Sequence, residues 1–411
     1  MTEPSAKPSN PEAPSASAPA SNDEEAGVTD ASDGLDADRL VQIARSATGL
    51  DDFGPWPWRE GLEVLIETYR RAGLTARGQR STVSRLTGLL ETRLRVANAW
   101  RVHPDIERTP ISEPIFVVSL PRTGTSTLFN LMGQDPRNRP LLFWEGVFPD
   151  PLPEPRADEP DPRISLLASW LERAKVKNPG FSAIHETRAE GPEECVGLTN
   201  LAFEGAQNGI EVLLEPYGSW FARRDQLGVY ELHKALLQML SWQRPGERWL
   251  LKSPAHLWGV DALITVYPDA WLVMTHREPR EIVASYCSMM ESLMSIRDDI
   301  DLADLGRRTL QSLGTMVDRV IDVRDNVGNG RFVDVAYADI VTSPVDTVEA
   351  LYDGLNIELS AETRTALSDF ANAHRKDRHG GHAYTLERYS LSTSAVDARF
   401  DRYRRLFSAM L

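Results

Sequence analysis

The sequence has few cysteines and no long apolar run. Its two cysteines, Cys195 and Cys287, stand in unrelated contexts, which excludes a disulfide framework and a cysteine-rich zinc site. No apolar run of about 18 residues occurs, so a transmembrane helix is not expected. No basic segment followed by an apolar one opens the chain, so no secretory signal is expected either. These absences predict a cytoplasmic protein with two reduced thiols.

Basic residues are also in deficit, with 45 Lys and Arg against 60 Asp and Glu and a formal net charge of -15. Such a field repels nucleic acids and anionic membranes, so a general binder of either is not expected. A small anionic ligand would need a local basic pocket. The composition, 41% hydrophobic and 26% charged, is that of a globular protein.

The first part of the chain differs from the rest. Residues 1–36 are mostly Pro, Ala, Ser, Asp and Glu, which cannot bury enough apolar surface to offset the entropy of ordering. We therefore predict a disordered acidic tail. Residues 37–411 are assigned to a single domain, with a helical lead-in over 37–111 and a catalytic core over 112–391.

Short apolar runs alternate with segments of helical periodicity along this domain. The predicted strands are IFVVSL, RWLLKS, AWLVMTHR and RFVDVAYADIV. The predicted helices cover about 126–132, 163–178, 191–208, 226–243, part of 256–268, 279–326 and 344–355. This alternation predicts a three-layer α/β fold with a central parallel sheet covered by helices on both faces.

The stretch SLPRTGTST directly follows the first strand and enters a helix. Backbone N–H groups and the helix dipole at such a turn favour an anion. Arg122 could add a forked guanidinium. The other candidate ligands of this loop are Thr123, Gly124, Thr125, Ser126 and Thr127. The glycine-lysine pair of the G-x-x-x-x-G-K-[ST] loop is absent, and no strand clearly ends in a Mg²⁺ ligand, so we predict anion binding without an obligatory metal.

A second candidate motif is THREPREIVASYCSM, where a strand ends at Arg277 and a helix follows. Arg277 and Ser285 are eight residues apart, one at the strand end and one inside the helix. Both could reach a single phosphate if the helix folds back across the strand tip.

Together these two stretches resemble the cofactor-binding motifs of sulfotransferases that use 3′-phosphoadenosine 5′-phosphosulfate (PAPS). LLKSPAHL, VAYADIVTSP, RHGGHAYTLERYSL and FWEGVFPDP are similar to further segments of that family, and the resemblance spans roughly 112–391. It implies a P-loop-like sulfotransferase fold that moves a sulfuryl group to a hydroxyl or an amine and releases 3′,5′-adenosine bisphosphate. In-line displacement without a metal is expected, because a sulfuryl group carries less negative charge than a phosphoryl group.

The resemblance also implies residue roles. The loop around Arg122 would hold the 5′-phosphosulfate, and Arg277 with Ser285 would hold the 3′-phosphate. Tyr337 would lie near the adenine, and Lys252 would sit between donor and acceptor. His379 and Gly380 would belong to a loop that covers the 3′-phosphate.

Two positions depart from the family pattern. Arg122 stands where many relatives have lysine; because arginine is always protonated, it can stabilise charge on the leaving phosphate but cannot donate a proton. Thr127 replaces the aromatic residue of some relatives, so the adenine must stack elsewhere.

The general base has two sets of candidates. His256 is the first choice, four residues beyond Lys252, although many relatives place the histidine two residues beyond, where this chain has Pro254. The alternative is the segment IHETRAEGPEEC, which offers His185, Glu186, Glu193 and Glu194.

The remaining histidines and aromatic residues are weaker signals. His374, His379 and His382 fit no standard metal-ligand spacing, so we predict no metal site there and favour a phosphate-covering loop. Tyr217 and Trp220 are candidates for an acceptor pocket. Small-molecule, glycan, lipid, phenol and polyketide acceptors stay open.

Two other functions compete with sulfuryl transfer. A nucleotide-dependent, kinase-like phosphotransferase would need the Walker lysine and Mg²⁺ ligands, which the sequence does not show. A catalytically degenerate adenosine-bisphosphate-binding protein would accommodate both the arginine at position 122 and the displaced histidine.

Overall fold

The computed structural model describes residues 34–152, 159–177, 187–294, 297, 299–374 and 385–411. Most of the predicted acidic tail lies outside these ranges. Its last residues belong to the packed structure, because Leu35 is buried and the Asp36 side chain accepts a hydrogen bond from the Arg39 N–H at the start of the first helix.

Within the described residues, five strands form one sheet. The strands are β1 (Ile115–Val117), β2 (Asn138–Pro140), β3 (Arg248–Lys252), β4 (Trp271–His276) and β5 (Phe332–Ala336). The α-helices are α1 (Ala37–Thr48), α2 (Arg59–Arg71), α3 (Ala76–Val102), α4 (Thr125–Met132), α5 (Phe143–Val147), α6 (Pro162–Lys177), α7 (Val196–Thr199), α8 (Tyr217–Phe221), α9 (Leu227–Gln243), α10 (Val260–Val266), α11 (Pro279–Leu293), α12 (Leu302–Val327), α13 (Tyr337–Thr342), α14 (Pro344–Gly354), α15 (Ala361–Ala373), α16 (Thr393–Arg399) and α17 (Asp401–Leu406).

The sheet is parallel throughout, in the order β2-β3-β1-β4-β5. Phe116 of β1 is in register with Leu251 of β3 and with Leu272 of β4. Because the strands are parallel, their carboxyl ends meet at one edge of the sheet, where open α/β sheets bind ligands.

Alternate residues of the central strand face two separate hydrophobic clusters. Phe116 and Val118 belong to the larger cluster, together with side chains of the N-terminal helices, α9, α11 and α12. Ile115 and Val117 belong to the smaller cluster, which includes side chains of α4, α14 and α15. Both faces of the sheet are thus covered, which confirms the predicted three-layer α/β fold.

Two predicted elements are wrong in extent. The strand predicted over 331–341 ends at Ala336, because α13 begins at Tyr337. Asp339 lies in the first turn of α13, where its carboxylate interacts favourably with the helix dipole and so stabilises the start of a helix. The helix predicted over 191–208 is only α7 and a short 3₁₀ turn. Phe203 and Gln207 there have φ angles of 57° and 53°, which are incompatible with helix continuation.

Two further elements differ in ways that the apolar pattern did not indicate. The long helical region over 279–326 is divided into α11 and α12. Strand β2, Asn138-Arg139-Pro140, has no apolar run and was not predicted. It pairs with β3, and the Asn138 side chain donates hydrogen bonds to the Met132 carbonyl at 2.8 Å and to the Tyr352 hydroxyl at 2.7 Å.

Candidate active site

The turn between β1 and α4 has a backbone that requires a glycine. Gly124 precedes α4 with φ of 83°, and a Cβ atom there would lie 2.9 Å from Cδ2 of Tyr337. Tyr337 therefore packs directly on the loop. Arg122 also has a positive φ, 68°, which is uncommon for a residue with a side chain and is found more often at functional turns.

The side chain of Thr123 fastens this turn to the sheet. It is fully buried, donates to the Leu120 carbonyl at 2.7 Å and lies 2.6 Å from the Thr275 hydroxyl of β4. The Thr275 N–H in turn donates to the Ser119 hydroxyl at 2.7 Å. Because the Thr123 hydroxyl faces the core, only its main chain is available to a ligand.

The two sequence motifs meet at Arg122. Its Nε donates to the Ser285 hydroxyl of α11 at 3.0 Å, and its carbonyl accepts from Nη1 of Arg277 at 2.9 Å. Ser285 is buried and Arg122 is half-buried. Arg122 and the two polar groups at positions 277 and 285, more than 150 residues further along the chain, thus form one cluster at the sheet edge.

Arg277 is fixed from two sides. Its guanidinium carbon lies 4.3 Å from the centre of the Tyr337 ring, and Glu281 accepts from its Nε at 2.8 Å and from its Nη2 at 2.6 Å. Stacking and a forked ion pair both restrict the guanidinium plane. Glu281, four residues after Arg277 on α11, was not singled out from the sequence, although its i,i+4 spacing is a signal of such a pair.

A second group of polar side chains surrounds Lys252 at the end of β3. Its Nζ donates to Oε1 of Glu194 at 2.8 Å and to the Ser126 hydroxyl at 3.1 Å. The Lys252 side chain is 3% exposed and that of Glu194 is 24% exposed. The ammonium group is therefore held beside the first turn of α4, with a carboxylate that solvent can still reach.

Donors at the start of α4 complete this edge. Ser126 and Thr127 are exposed in the first turn, whereas Thr125 is buried. Exposed hydroxyls, helix N–H groups and the cations of Arg122, Arg277 and Lys252 can together hold a ligand with more than one anionic group, which the net charge of -15 would otherwise disfavour.

His256 is in a different setting. It lies in the 3₁₀ turn Pro254–Trp258, is 1% exposed and contacts the ring of Phe116 edge-on at a centroid distance of 5.2 Å. Phe116 faces the cluster opposite α4. The Tyr230 hydroxyl lies 2.8 Å from Nδ1 of His256, and Nε2 has no hydrogen-bond partner within the described residues.

The protonation of His256 follows from these contacts. Burial, with a smaller contribution from nearby His233, holds the pKa of His256 well below its usual value, so the ring is neutral. Burial raises the pKa of Tyr230 well above its usual value, which keeps its hydroxyl protonated. In the described part of the chain this hydroxyl bonds only to Nδ1 of His256, so it donates to that atom and the ring proton lies on Nε2.

Other predicted site residues are placed as follows. Tyr217 is fully buried, and its hydroxyl donates to the Gly205 carbonyl at 2.5 Å, so it belongs to the core. Trp220 is partly buried and its indole N–H donates to Glu60 at 2.7 Å. His374 stacks on Phe370 at the end of α15. His185, Glu186, His379, Gly380 and His382 lie outside the described residues.

In the described ranges, no group of three or more His, Cys, Asp or Glu side chains is arranged to hold a metal ion, and no helix is long and apolar enough to cross a membrane. Both cysteines are buried and free.

A parallel α/β sheet with a glycine turn, a helix N-terminus and three cations at its carboxyl edge can hold a ligand with several anionic groups. The chain belongs to the sulfotransferase family, whose model matches residues 114–361. It is therefore an enzyme of the sulfotransferase type, as the sequence motifs predicted.

Two solved structures support this assignment over most of the chain. The sulfotransferase STF1 from Mycobacterium tuberculosis H37Rv is 32% identical, with a TM-score of 0.78 over 88% of this chain and 97% of that one. The sulfotransferase STF9 from Mycobacterium avium is 29% identical, with a TM-score of 0.82 over 93% of this chain and 98% of that one. A search of curated protein sequences gives no match.

Proposed function

We propose that this sulfotransferase uses PAPS as its donor and transfers the sulfuryl group to a hydroxyl of a small-molecule, glycan or lipid acceptor, without a metal, in the cytoplasm. The observation that carries the proposal is the cluster of Arg122, Arg277 and Ser285 beside the glycine turn. Two distinct anion-binding motifs at adjoining positions suit a donor with a phosphate at each end of its ribose.

The donor would be divided between these motifs. Arg277 and Ser285 bind the 3′-phosphate, and the Tyr337 ring, which packs on Gly124, lies beside the adenine. The main chain of residues 123–127 and the hydroxyls of Ser126 and Thr127 bind the 5′-phosphosulfate. When the S–O bond breaks, its electron pair passes to the oxygen of the leaving 5′-phosphate. The positive charge of Arg122 stabilises the negative charge that develops on that oxygen.

Transfer would proceed by in-line attack of the acceptor oxygen on sulfur. Lys252 stabilises the equatorial sulfuryl oxygens, and the Glu194 carboxylate, 2.8 Å from Nζ of Lys252, accepts the hydroxyl proton as the new O–S bond forms. Fixed cations in a partly buried site cost no reorganisation during the reaction, which is why no metal is needed.

Glu194 fits the base better than His256 does. A base must present a lone pair to the acceptor, and Nε2 of His256 carries a proton in the tautomer that Tyr230 imposes. Glu194, by contrast, is solvent-accessible and contacts both Lys252 and, through Oε2 at 3.4 Å, the Ser253 hydroxyl.

Calorimetric titration with 3′,5′-adenosine bisphosphate in EDTA tests the donor site. We expect metal-free binding that ATP does not match. Arg277→Ala should weaken it roughly 10- to 100-fold, since charge-assisted hydrogen bonds contribute about 1.5–3 kcal/mol each. Arg364→Ala, a surface arginine paired with Asp346 and Glu349, is the control and should leave affinity unchanged. Binding that needs Mg²⁺ and prefers ATP would contradict the proposal.

The base is tested by Glu194→Gln, which keeps the shape and removes the charge. We expect kcat for transfer of ³⁵S from PAPS to fall by about 10²- to 10⁴-fold, with affinity for adenosine bisphosphate nearly unchanged. Glu190→Gln, at an exposed glutamate four residues earlier, is the matched control. Equal losses in both variants, or no loss in Glu194→Gln, would reject Glu194 as the base.

A further inference from the structure

A small cavity lies on the side of the sheet opposite α4, beyond Ser253. His256 and Gln226 line it, with Tyr230 and Ala206 among the other walls. Ser253 is shared with the active site, because its hydroxyl also contacts Oε2 of Glu194 at 3.4 Å. Ser253 thus links the wall of the cavity to the proposed base.

Two buried donors in this cavity have no acceptor. Nε2 of His256 and Nε2 of Gln226 are both without a hydrogen-bond partner within the described residues. The two residues are 1% and 6% exposed. Leaving a buried N–H unpaired costs roughly 1–3 kcal/mol, so an oxygen that accepts from either group would recover a substantial free energy.

The lining also defines which kind of oxygen fits. No carboxylate and no permanently charged cation lines the cavity in the described ranges, and the His256 ring is neutral. An ammonium group would find no counter-charge, and an anion would find no cation. A neutral oxygen with lone pairs, as in a hydroxyl, ether or carbonyl group, is the kind of acceptor that suits these uncharged donors.

The walls are held close by a glycine. A Cβ atom at Gly259 would lie 2.7 Å from Cβ of Gln226 and 2.9 Å from Cε2 of Tyr230. The aliphatic part of the Gln226 side chain is therefore closely packed against Gly259.

We propose that His256 and Gln226 form an acceptor subsite for a second, neutral oxygen of the substrate. This rests on the proposed function, and it deepens it by naming the acceptor class: a polyhydroxylated or similarly oxygenated compound rather than a simple alcohol or phenol. A site built to bond an oxygen disfavours analogues that lack it, since their binding leaves both donors unpaired.

The test compares cyclohexanol with the 1,2-, 1,3- and 1,4-cyclohexanediols, which differ from it by one oxygen. Sulfation from ³⁵S-PAPS gives the ratio of kcat/KM values, and competition NMR on the adenosine bisphosphate complex gives the ratio of affinities. We expect at least one diol to exceed cyclohexanol by roughly 10- to 100-fold in one of these ratios.

Gln226→Leu should reduce that ratio about tenfold or more. Gln238→Leu, the same change on α9 at a side chain that donates to the Glu107 and Thr109 carbonyls, should leave it unchanged. His256→Phe should act like Gln226→Leu; if it does not fold, Gln226→Leu alone decides. Thermal unfolding confirms that each variant is folded.

Each outcome has one meaning. A diol preference that Gln226→Leu removes supports the subsite. No preference in the natural protein, or a preference that survives Gln226→Leu, overturns it and leaves a cavity that holds water only. If the natural protein did not bind adenosine bisphosphate, the donor assignment itself would be wrong. The failure of the subsite and the failure of the proposed function are therefore distinguishable.

Discussion

Gly124 lets Tyr337 pack directly on the turn between β1 and α4, a contact that only a residue without a side chain allows. Gly124→Ala would bring Cβ to 2.9 Å from the Tyr337 ring, at a φ of 83°. Gly73→Ala is a matched control, because Gly73 has φ of 63° and nothing within 4 Å of a built Cβ. Both variants should lose about 1–2 kcal/mol of unfolding free energy from the left-handed backbone.

Only Gly124→Ala should also weaken the binding of adenosine bisphosphate, by about tenfold, because the new methyl group displaces Tyr337 from the loop and from Arg277. Urea unfolding and calorimetry measure the two effects separately. Equal affinities in the two variants would show that the Tyr337 contact does not support the donor site.

The glycine turn and the Arg277–Ser285 spacing could be predicted because each is local in sequence. The pairing of Lys252 with Glu194 could not, because the two residues come from different segments and meet only through the fold. Ser253 and Gln226 gave no signal either. A buried donor without an acceptor is a property of its surroundings, which the sequence does not display.

Among the elements, the end of β4 is braced by α17 and the turn that follows it. Nδ1 of His276 lies 3.0 Å from the Tyr403 hydroxyl, its ring stacks on Phe407 at 4.1 Å, and Nε2 lies 2.8 Å from Asp334. Since Arg277 is the next residue, the brace positions the strand end that carries it.

Phe407→Ala should remove about 3–5 kcal/mol of unfolding free energy, because it empties a buried site beside His276. Leu406→Ala, one residue earlier and 52% exposed, should change it by less than about 0.5 kcal/mol. Urea unfolding measures both, and faster amide exchange at Thr275 and Arg277 in Phe407→Ala alone would show that the strand end has loosened. Similar stabilities in the two variants would contradict this role.

The central strands could be predicted from their apolar runs, since a strand buried on both faces is continuously hydrophobic. Strand β2 has the composition of a turn and is held in the sheet by its pairing with β3, so its sequence did not indicate a strand. The helix at 191–208 was overpredicted because its helical periodicity does not reveal the positive φ angles at Phe203 and Gln207.

At the scale of the whole molecule, three histidines of the described residues, His233, His256 and His276, are buried with lowered pKa values. Burial lowers the pKa of His233 to about 3, and it is the largest cause of the lowered pKa values of His256 and His276. The unfolded chain therefore takes up protons first as the pH falls below about 6.5, which destabilises the fold by up to about 1.4 kcal/mol per pH unit for each histidine.

A fourth group acts in the same direction at lower pH. Burial alone would raise the pKa of Asp334, but hydrogen bonds from Arg324 and His276 lower it to about 2. Its contribution to stability is present above about pH 3.8 and is lost as the pH falls towards 2.

Urea unfolding at pH 7.5, 6.5 and 5.5 should show a nearly constant free energy above pH 6.5 and a marked fall below it. His233→Gln should reduce the slope of the unfolding free energy against pH by up to about 1.4 kcal/mol per pH unit, which is the contribution of one proton. His103→Gln, at a half-buried surface histidine, is the comparison. A flat profile down to pH 5.5 would contradict the neutral buried histidines.

The brace on β4 also has a consequence for biosynthesis. His276 and Tyr403 are separated by 127 positions, and Arg280 and Asp397 by 117. The five described strands end at Ala336 and are synthesised before these later residues, so the strand end beside Arg277 stays unbraced until the later residues emerge. A nascent chain stalled before position 397 would therefore contain all five described strands but lack these contacts, so we expect binding at the proposed donor site to be among the last properties that the newly made enzyme acquires.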